Sequence, residues 1–356
     1  MAERLTREGR HVVLIDREDP GRGSTAASTA MILWEIDRSL SQLTELYGVE
    51  HASRDYHASF TAAQRLQSFV AEYQLPCFMR PKPSLFLAAG ETDRELRQEF
   101  EIRRRAGLPG EYLDYKTLLS TFGIARAGAI LSSGAADADP VRLTHALLDL
   151  SRSRGAELFH ANAVAFDGSG PRVFVRLDHD DEIEARHVVL ATGYVMPEIV
   201  SPTIHSVASS WAIASRPQPQ NIWKGGALIW EDSEDYNYAR TTVDGRIIFG
   251  GQDDDKIVEP DERDAAIPGK SAELGRKLRA LWPKANIDVD YRWAGTFDTT
   301  QDGLPLIGRV PGHSNIFAAY GYGGNGITFS YLAAELIAAL IAGGNSPLLD
   351  DFAIDR

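Results

Sequence analysis

Cysteine is nearly missing from this 356-residue chain, with Cys77 standing alone. One thiol closes no internal disulfide, which fits a reducing cytosol, and it excludes cysteine-built zinc and iron–sulfur sites within the chain. Basic residues are also scarce, 37 against 50 acidic ones, for a formal charge of −13. That balance excludes nucleic acid or an anionic membrane as the main partner. Long apolar runs are few. The longest, residues 327–342, carries Glu335 and reads as a buried helix, so no transmembrane segment is expected. The first ten residues are charged, so no secretory leader is read there. No metal-ligand spacing and no Ser/His/Asp constellation appears, and His11, His145, His160 and His187 read as structural.

What is present is ordinary for a soluble globular protein, with 44% apolar and 24% charged residues at a length that suggests two domains. Residues 2–9 read as the end of a helix closed by Gly9, and residues 11–15 (HVVLI) as a short buried parallel strand ending at Asp16. Helix, turn, strand and acid form the second half of a βαβ nucleotide-binding unit, in which the acid follows a G-x-G-x-x-G turn by about 20 residues. Counting back from Asp16 passes Met1. The first strand and its glycine loop are therefore expected to be missing. The simpler reading is a trimmed or misassigned start; the other is a true deletion.

Further on, residues 37–75 read as one long amphipathic helix and 84–88 as a strand. A charged helix is expected at 91–107 and another strand at 128–133. Asp139-Pro140 opens a helix to residue 154. Strands at 163–167, 171–177 and 183–190 suggest a meander, and residues 205–258 are rich in strand and turn signals. A helix is expected at 271–281, two strands within 303–319, and a final helix behind a glycine-rich loop at 321–326. Nucleotide-type segments at the start, middle and end predict a discontinuous domain (1–40, 137–210 and 290–356). A substrate domain inserted twice (41–136 and 211–289) completes the chain.

Four places carry chemistry. Asp16 is placed to accept hydrogen bonds from ribose hydroxyls. Gly23-Ser24-Thr25 puts hydroxyls and backbone N–H groups at a helix start, which attracts phosphate or is plain N-capping. Ala191-Thr192-Gly193 lets a cofactor approach bare backbone at a strand end. The strongest signal is D-G-L-P-L-I-G at 302–308 followed by G-Y-G-G-N-G at 321–326. Four glycines before a helix can aim N–H groups at an anionic centre such as a flavin N1–C2=O edge, and the Lys-Ser/Thr of a Walker phosphate loop is absent.

These motifs, with G-S-T-A-A-S at 23–28, D-P-V-R-L at 139–143 and the Y-N-Y-A-R-T-T-V-D-G-R-I-I-F-G-G stretch at 236–251, stand in the order that resembles the D-amino-acid oxidase-like flavoproteins. That superfamily includes glycine oxidase, sarcosine oxidase, D-amino-acid dehydrogenase and gamma-glutamylputrescine oxidase. The resemblance implies an α/β fold, with a Rossmann-like FAD-binding domain lacking its first strand and glycine loop and an inserted antiparallel-β substrate domain. It implies oxidation of the C–N bond of a small amine or amino acid by hydride transfer to FAD, with O2 or an electron carrier as acceptor. Asp16 and Arg17 match the ribose-binding end; Ser24, Thr25 and Ala27 the pyrophosphate and ribityl loop. Val164 matches the adenine contact and Thr192 and Gly193 the A-T-G turn. Gly323, Gly324, Asn325, Gly326, Ile327 and Thr328 match the loop over the flavin pyrimidine edge. Aligning W-A-G at 293–295 puts Phe297 where glycine oxidase carries its carboxylate-binding Arg. Arg240 and Arg292 are the alternative carboxylate partners, against a structural ion-pair reading. Tyr236, Tyr238 and Trp293 are candidate pocket walls, against plain packing. Phe297 to Gln301 contains no Cys and residues 23–29 no His, so FAD is expected to be non-covalent. A catalytic side chain is not named. The competing expectation is a non-catalytic remnant or partner subunit of the same fold.

Overall fold

The apolar run behind the Gly9 turn forms the strand Val13–Asp16 in the computed structural model, which describes residues 1–200, 204–233 and 236–356. This strand pairs in parallel with Glu157–His160, reached through the helix Pro140–Ser153. That helix starts as its sequence dictates: the Asp139 carboxylate accepts from the Arg142 amide at 3.0 Å, and Pro140 needs no donor in the first turn. A second parallel pair joins Val188–Leu190 to Ile316–Tyr320, and Leu306–Arg309 extends it on the other side, antiparallel. The two parallel pairs belong to separate hydrogen-bonded sheets, yet Ile15, Val188, Leu190 and Ile316 share one apolar cluster.

Most of the remaining strands form one nine-stranded sheet. His205–Ser215 lies between Val289–Thr300 and Ile247–Asp254, and the sheet continues through Asn237–Thr241, Leu228–Asp232, Arg80–Ala88, Gly128–Asp137 and Met31–Ile32, with Glu111–Asp114 also paired to Gly128–Asp137. Leu228–Asp232 runs parallel to Arg80–Ala88, so the sheet is mixed where an antiparallel one is expected. Residues 31–32, 205–210 and 290–300, assigned by sequence to the nucleotide domain, are strands of this sheet. His205–Ser215 pairs with Val289–Thr300 along its length, which joins both to that sheet. Residues 201–203 and 234–235 of the expected domain ranges lie outside the described residues.

Two expected elements divide. The long helix at 37–75 is two helices, Leu40–Tyr47 and Val49–Glu72, interrupted at Gly48 with φ 85° and ψ 160°, a backbone shape open to glycine alone. The third meander strand ends at Ala185, and Val188–Leu190 leaves the meander for the parallel sheet. The final helix, Gly326–Ile341, is the core helix expected. With the turn before it, it is long and apolar enough to cross a membrane, but Phe329, Leu332, Leu336 and Ile337 are buried against Trp34, Leu40 and Tyr56.

Candidate functional site

Three segments far apart in sequence meet at the nine-stranded sheet, to which the first two contribute strands: 24–37, 293–298 and 321–328. Hydrogen bonds stitch them together. Ser24 Oγ donates to the Thr296 carbonyl at 2.8 Å, and Trp293 Nε1 donates to the Ala27 carbonyl at 2.8 Å. Asn325 Nδ2 donates to the Glu35 carbonyl at 2.6 Å, and Thr328 Oγ1 to the Leu33 carbonyl at 2.6 Å. Bare backbone is required at the crossing of the first two segments, because a Cβ on Gly295 would stand 2.9 Å from the Ala27 methyl.

The glycine loop behaves as an anion receptor. Ile316–Tyr320 ends, Gly321 turns at φ 70°, and a short 3₁₀ turn at Gly323–Asn325 leads into the last helix. The Gly321 amide donates to buried Asp298 Oδ2 at 2.7 Å, and the Gly324 amide to Asp37 Oδ2 at 2.7 Å. Two of the donors expected to face a cofactor thus already hold carboxylates of this chain. Any side chain on Gly323 would collide with Asp37.

Asp37 defines the electrostatics. The residue as a whole is exposed, yet desolvation of its carboxyl by the surrounding protein pushes it up to about 6; the Gly324 amide acts against that rise and Asp253 adds to it. An accessible acid whose charge is costly thus lies against the glycine loop. Tyr236 stands near it, and the Tyr238 ring lies 6.1 Å from that of Tyr236 between centres. Burial pushes the Tyr238 phenol up to about 12; Tyr236 rises further, through burial and then the charges of Asp253 and Asp37. Tyr238 reaches Thr29, and strand alternation turns Arg240 to the same face. Arg240 is buried, its Nη1 3.6 Å from Asp137, and its Nε has no hydrogen-bond partner. Arg80 grips the same Asp137, Nε to Oδ1 at 2.8 Å, and Lys82 bonds the Gly225 carbonyl nearby.

The other sequence-derived residues lie on several separate elements. Asp16 is exposed at the end of its strand, with Oδ1 accepting from the Glu18 amide at 3.0 Å, and Arg17 is exposed beside it. Gly23, and neither hydroxyl residue, caps the four-residue helix Ser24–Ala27; Thr25 is half-buried in it. Thr192 and Gly193 are exposed just past Val188–Leu190. Val164 is exposed in the meander, away from the glycine loop's hydrogen bonds. Ile327 packs with the cluster of Ile32 and Leu66. Arg292 is exposed and alternates with Trp293, so it points to the face opposite the Ala27 contact. Sequence reasoning missed Asp37 and Asp298. The only local signal for Asp37 was an acid in an otherwise mostly apolar stretch, M-I-L-W-E-I-D.

The residues fit an FAD. A Cβ on Gly193 or Gly326 would meet nothing within 4 Å, leaving open space over bare backbone at both places. The carboxylates on the Gly321 and Gly324 amides show that the N–H groups of this loop attract negative charge.

Comparison with known proteins agrees. The family described as FAD dependent oxidoreductase matches residues 1–340. Gamma-glutamylputrescine oxidoreductase of Escherichia coli (strain K12) is 24% identical over 98% of this chain and 82% of its own length. The crystal structure of glycine oxidase from Geobacillus kaustophilus superposes with a TM-score of 0.84 at 19% identity, covering 100% of this chain and 94% of that one. L-proline dehydrogenase from P. horikoshii gives 0.83 at 18% identity, covering 99% and 92%. The family match and the relative of similar length do not support the remnant reading.

Proposed function

Since this chain belongs to the FAD dependent oxidoreductase family, we propose that it oxidises the C–N bond of a small amine or amino acid, of the D-amino acid, glycine/sarcosine or polyamine-derivative type. The observation that carries this reading is the junction of 24–37, 293–298 and 321–328 with Asp37 held on the glycine loop, which we read as the floor of the substrate cleft. FAD, when bound, supplies the two-electron acceptor for hydride from the carbon bearing nitrogen. Asp16 and Arg17 hold its ribose end, Ser24, Thr25 and Ala27 lie along its phosphates, and Val164 takes the adenine. Thr192 and Gly193 give it room, and Gly323 to Thr328 flank its pyrimidine edge. With no Cys or His at the positions named above, the attachment is non-covalent; acid precipitation should leave the yellow colour in solution.

Asp37 draws the substrate ammonium to the cleft floor, with Asp253 nearby reinforcing the negative field. Tyr236 and Tyr238 form the wall, and Trp293 fixes the Ala27 turn through its indole N–H. Arg240 takes a carboxylate where the substrate has one, with Arg80 and Lys82 adding positive charge around Asp137. Arg292, on the opposite strand face, has no part in that pocket.

The test is anaerobic titration of the FAD-loaded protein with sarcosine, glycine, D-amino acids and polyamine derivatives. At least one should bleach the flavin band, and reoxidation by O2 or by an artificial carrier then separates oxidase from dehydrogenase. A flavin that stays oxidised with every amine and amino acid would falsify the substrate class.

A further inference from the structure

Away from the cleft, the helix Val49–Glu72 and the C-terminal helix Leu348–Asp351 bring together three groups that no part of the proposed reaction uses. His51 and Asp55 stand one helical turn apart on the first, and Asp351 ends the second. His51 Nε2 lies 3.3 Å from Asp55 Oδ2 and 3.2 Å from Asp351 Oδ1, and one ligand atom from each residue lies within 4.8 Å of the others. The edge of a tetrahedron with metal–ligand bonds of about 2.0–2.1 Å is about 3.3 Å, so both short separations match two ligands of one tetrahedral ion.

Asp55 supplies the second observation. It is 0% exposed, and neither of its carboxylate oxygens, nor His51 Nε2, has a hydrogen-bond partner. The polar neighbours of Asp55 are His51 Nε2 at 3.3 Å and the Asp351 carboxylate, so two acids face one imidazole nitrogen, and a buried carboxylate with so little beside it is among the costliest groups a core can hold. Asp351 is already oriented: Arg54 donates to Oδ2 from Nε at 2.6 Å and to Oδ1 from Nη2 at 2.7 Å. Each oxygen retains a second lone pair, and a ligating carboxylate held by an outer donor is the usual support of a metal site. His51 is partly exposed and gives an ion its way in.

We infer that His51, Asp55 and Asp351 form a binding site for one divalent transition-metal ion, of the zinc type, that fastens the C-terminal helix to the helix Val49–Glu72. One imidazole nitrogen and two carboxylate oxygens suit such an ion better than magnesium or calcium, which prefer all-oxygen shells. The fourth position is left to water. The role is structural, since the triad takes no part in the hydrogen bonds that join the segments 24–37, 293–298 and 321–328.

The test uses the FAD-loaded protein after chelator treatment and dialysis, titrated with zinc chloride in a calorimeter. One saturable equivalent per chain is expected, with a raised thermal midpoint and an unchanged flavin spectrum. His51→Ala should weaken binding at least tenfold, and Asp55→Asn should abolish it. Where Asp55→Asn does not fold, His51→Ala and the native titration decide. Absence of a saturable equivalent in the native protein, or unchanged zinc affinity in His51→Ala, overturns the proposal.

Discussion

At the scale of single residues, two acids divide the work expected of the cofactor and the substrate. Asp16 lies at a strand end with its carboxylate in solvent, where the resemblance places the ribose. Replacing it with Ala removes hydrogen bonds to a charged group at roughly 1.5–3 kcal/mol each, so FAD should bind at least tenfold more weakly in an equilibrium titration. Asp37 is tuned by its surroundings, with a folded pKa of about 6 against an ordinary 3.8. Its charge develops as pH rises through about 6, so KM for a cationic amine should fall across that range. Asp37→Asn should flatten the profile and raise KM about fivefold above it, the equivalent of about 1 kcal/mol. The stability consequence has the opposite sign. A raised carboxyl favours the fold fully below 3.8, and that contribution is lost as pH rises through about 6.

At the scale of elements, breaks and caps determine where helices sit. The two helices at 40–47 and 49–72 arise because Gly48 holds φ 85° and ψ 160°. No neighbour lies within 4 Å of a Cβ placed there, so strain is the whole cost of a side chain. Gly48→Ala should therefore lose about 1–3 kcal/mol in denaturant unfolding, with the flavin spectrum unchanged. The start of the first of these helices is capped from outside: Glu99, on the helix Arg94–Arg105, accepts from the Leu40 and Ser41 amides at 2.9 and 2.8 Å while Arg103 bonds it at 2.6 Å. Ser39 adds a local capping box, the part of this arrangement that lies within a few residues of sequence.

At the scale of the whole molecule, the D-G-L-P-L-I-G motif joins regions from both ends of the chain. Asp302 accepts from Tyr47 at 2.8 Å and from Arg356 Nε and Nη2 at 2.9 Å each, while its backbone neighbour Leu304 donates to Oδ1 at 3.0 Å. Burial opposes its charge, but Arg356 and the other donors outweigh burial and hold its carboxyl at about 2. A lowered carboxyl stabilises the fold above about 3.8 and loses that contribution as pH falls through about 2. About 2 kcal/mol should disappear over that window in acid unfolding of the native protein, and Asp302→Asn should remove most of the slope.

Local chemistry made much of this molecule legible in advance. The Asp139-Pro140 helix start, the strand ending at Asp16, the two strands around Pro311-Gly312 and the apolar last helix each follow from residues a few positions apart. The motif order was enough to name the flavoprotein family and its cofactor. What the sequence left undetermined depends on partners tens to hundreds of residues away. Asp37 reaches the Gly324 amide, Arg240 shares Asp137 with Arg80, and residues 290–300 join the large sheet only because His205–Ser215 lies beside them. Periodicity and capping act within a few turns of chain, whereas the pKa of an acid, the side a strand faces and the company a histidine keeps are set by packing, which only the folded chain specifies.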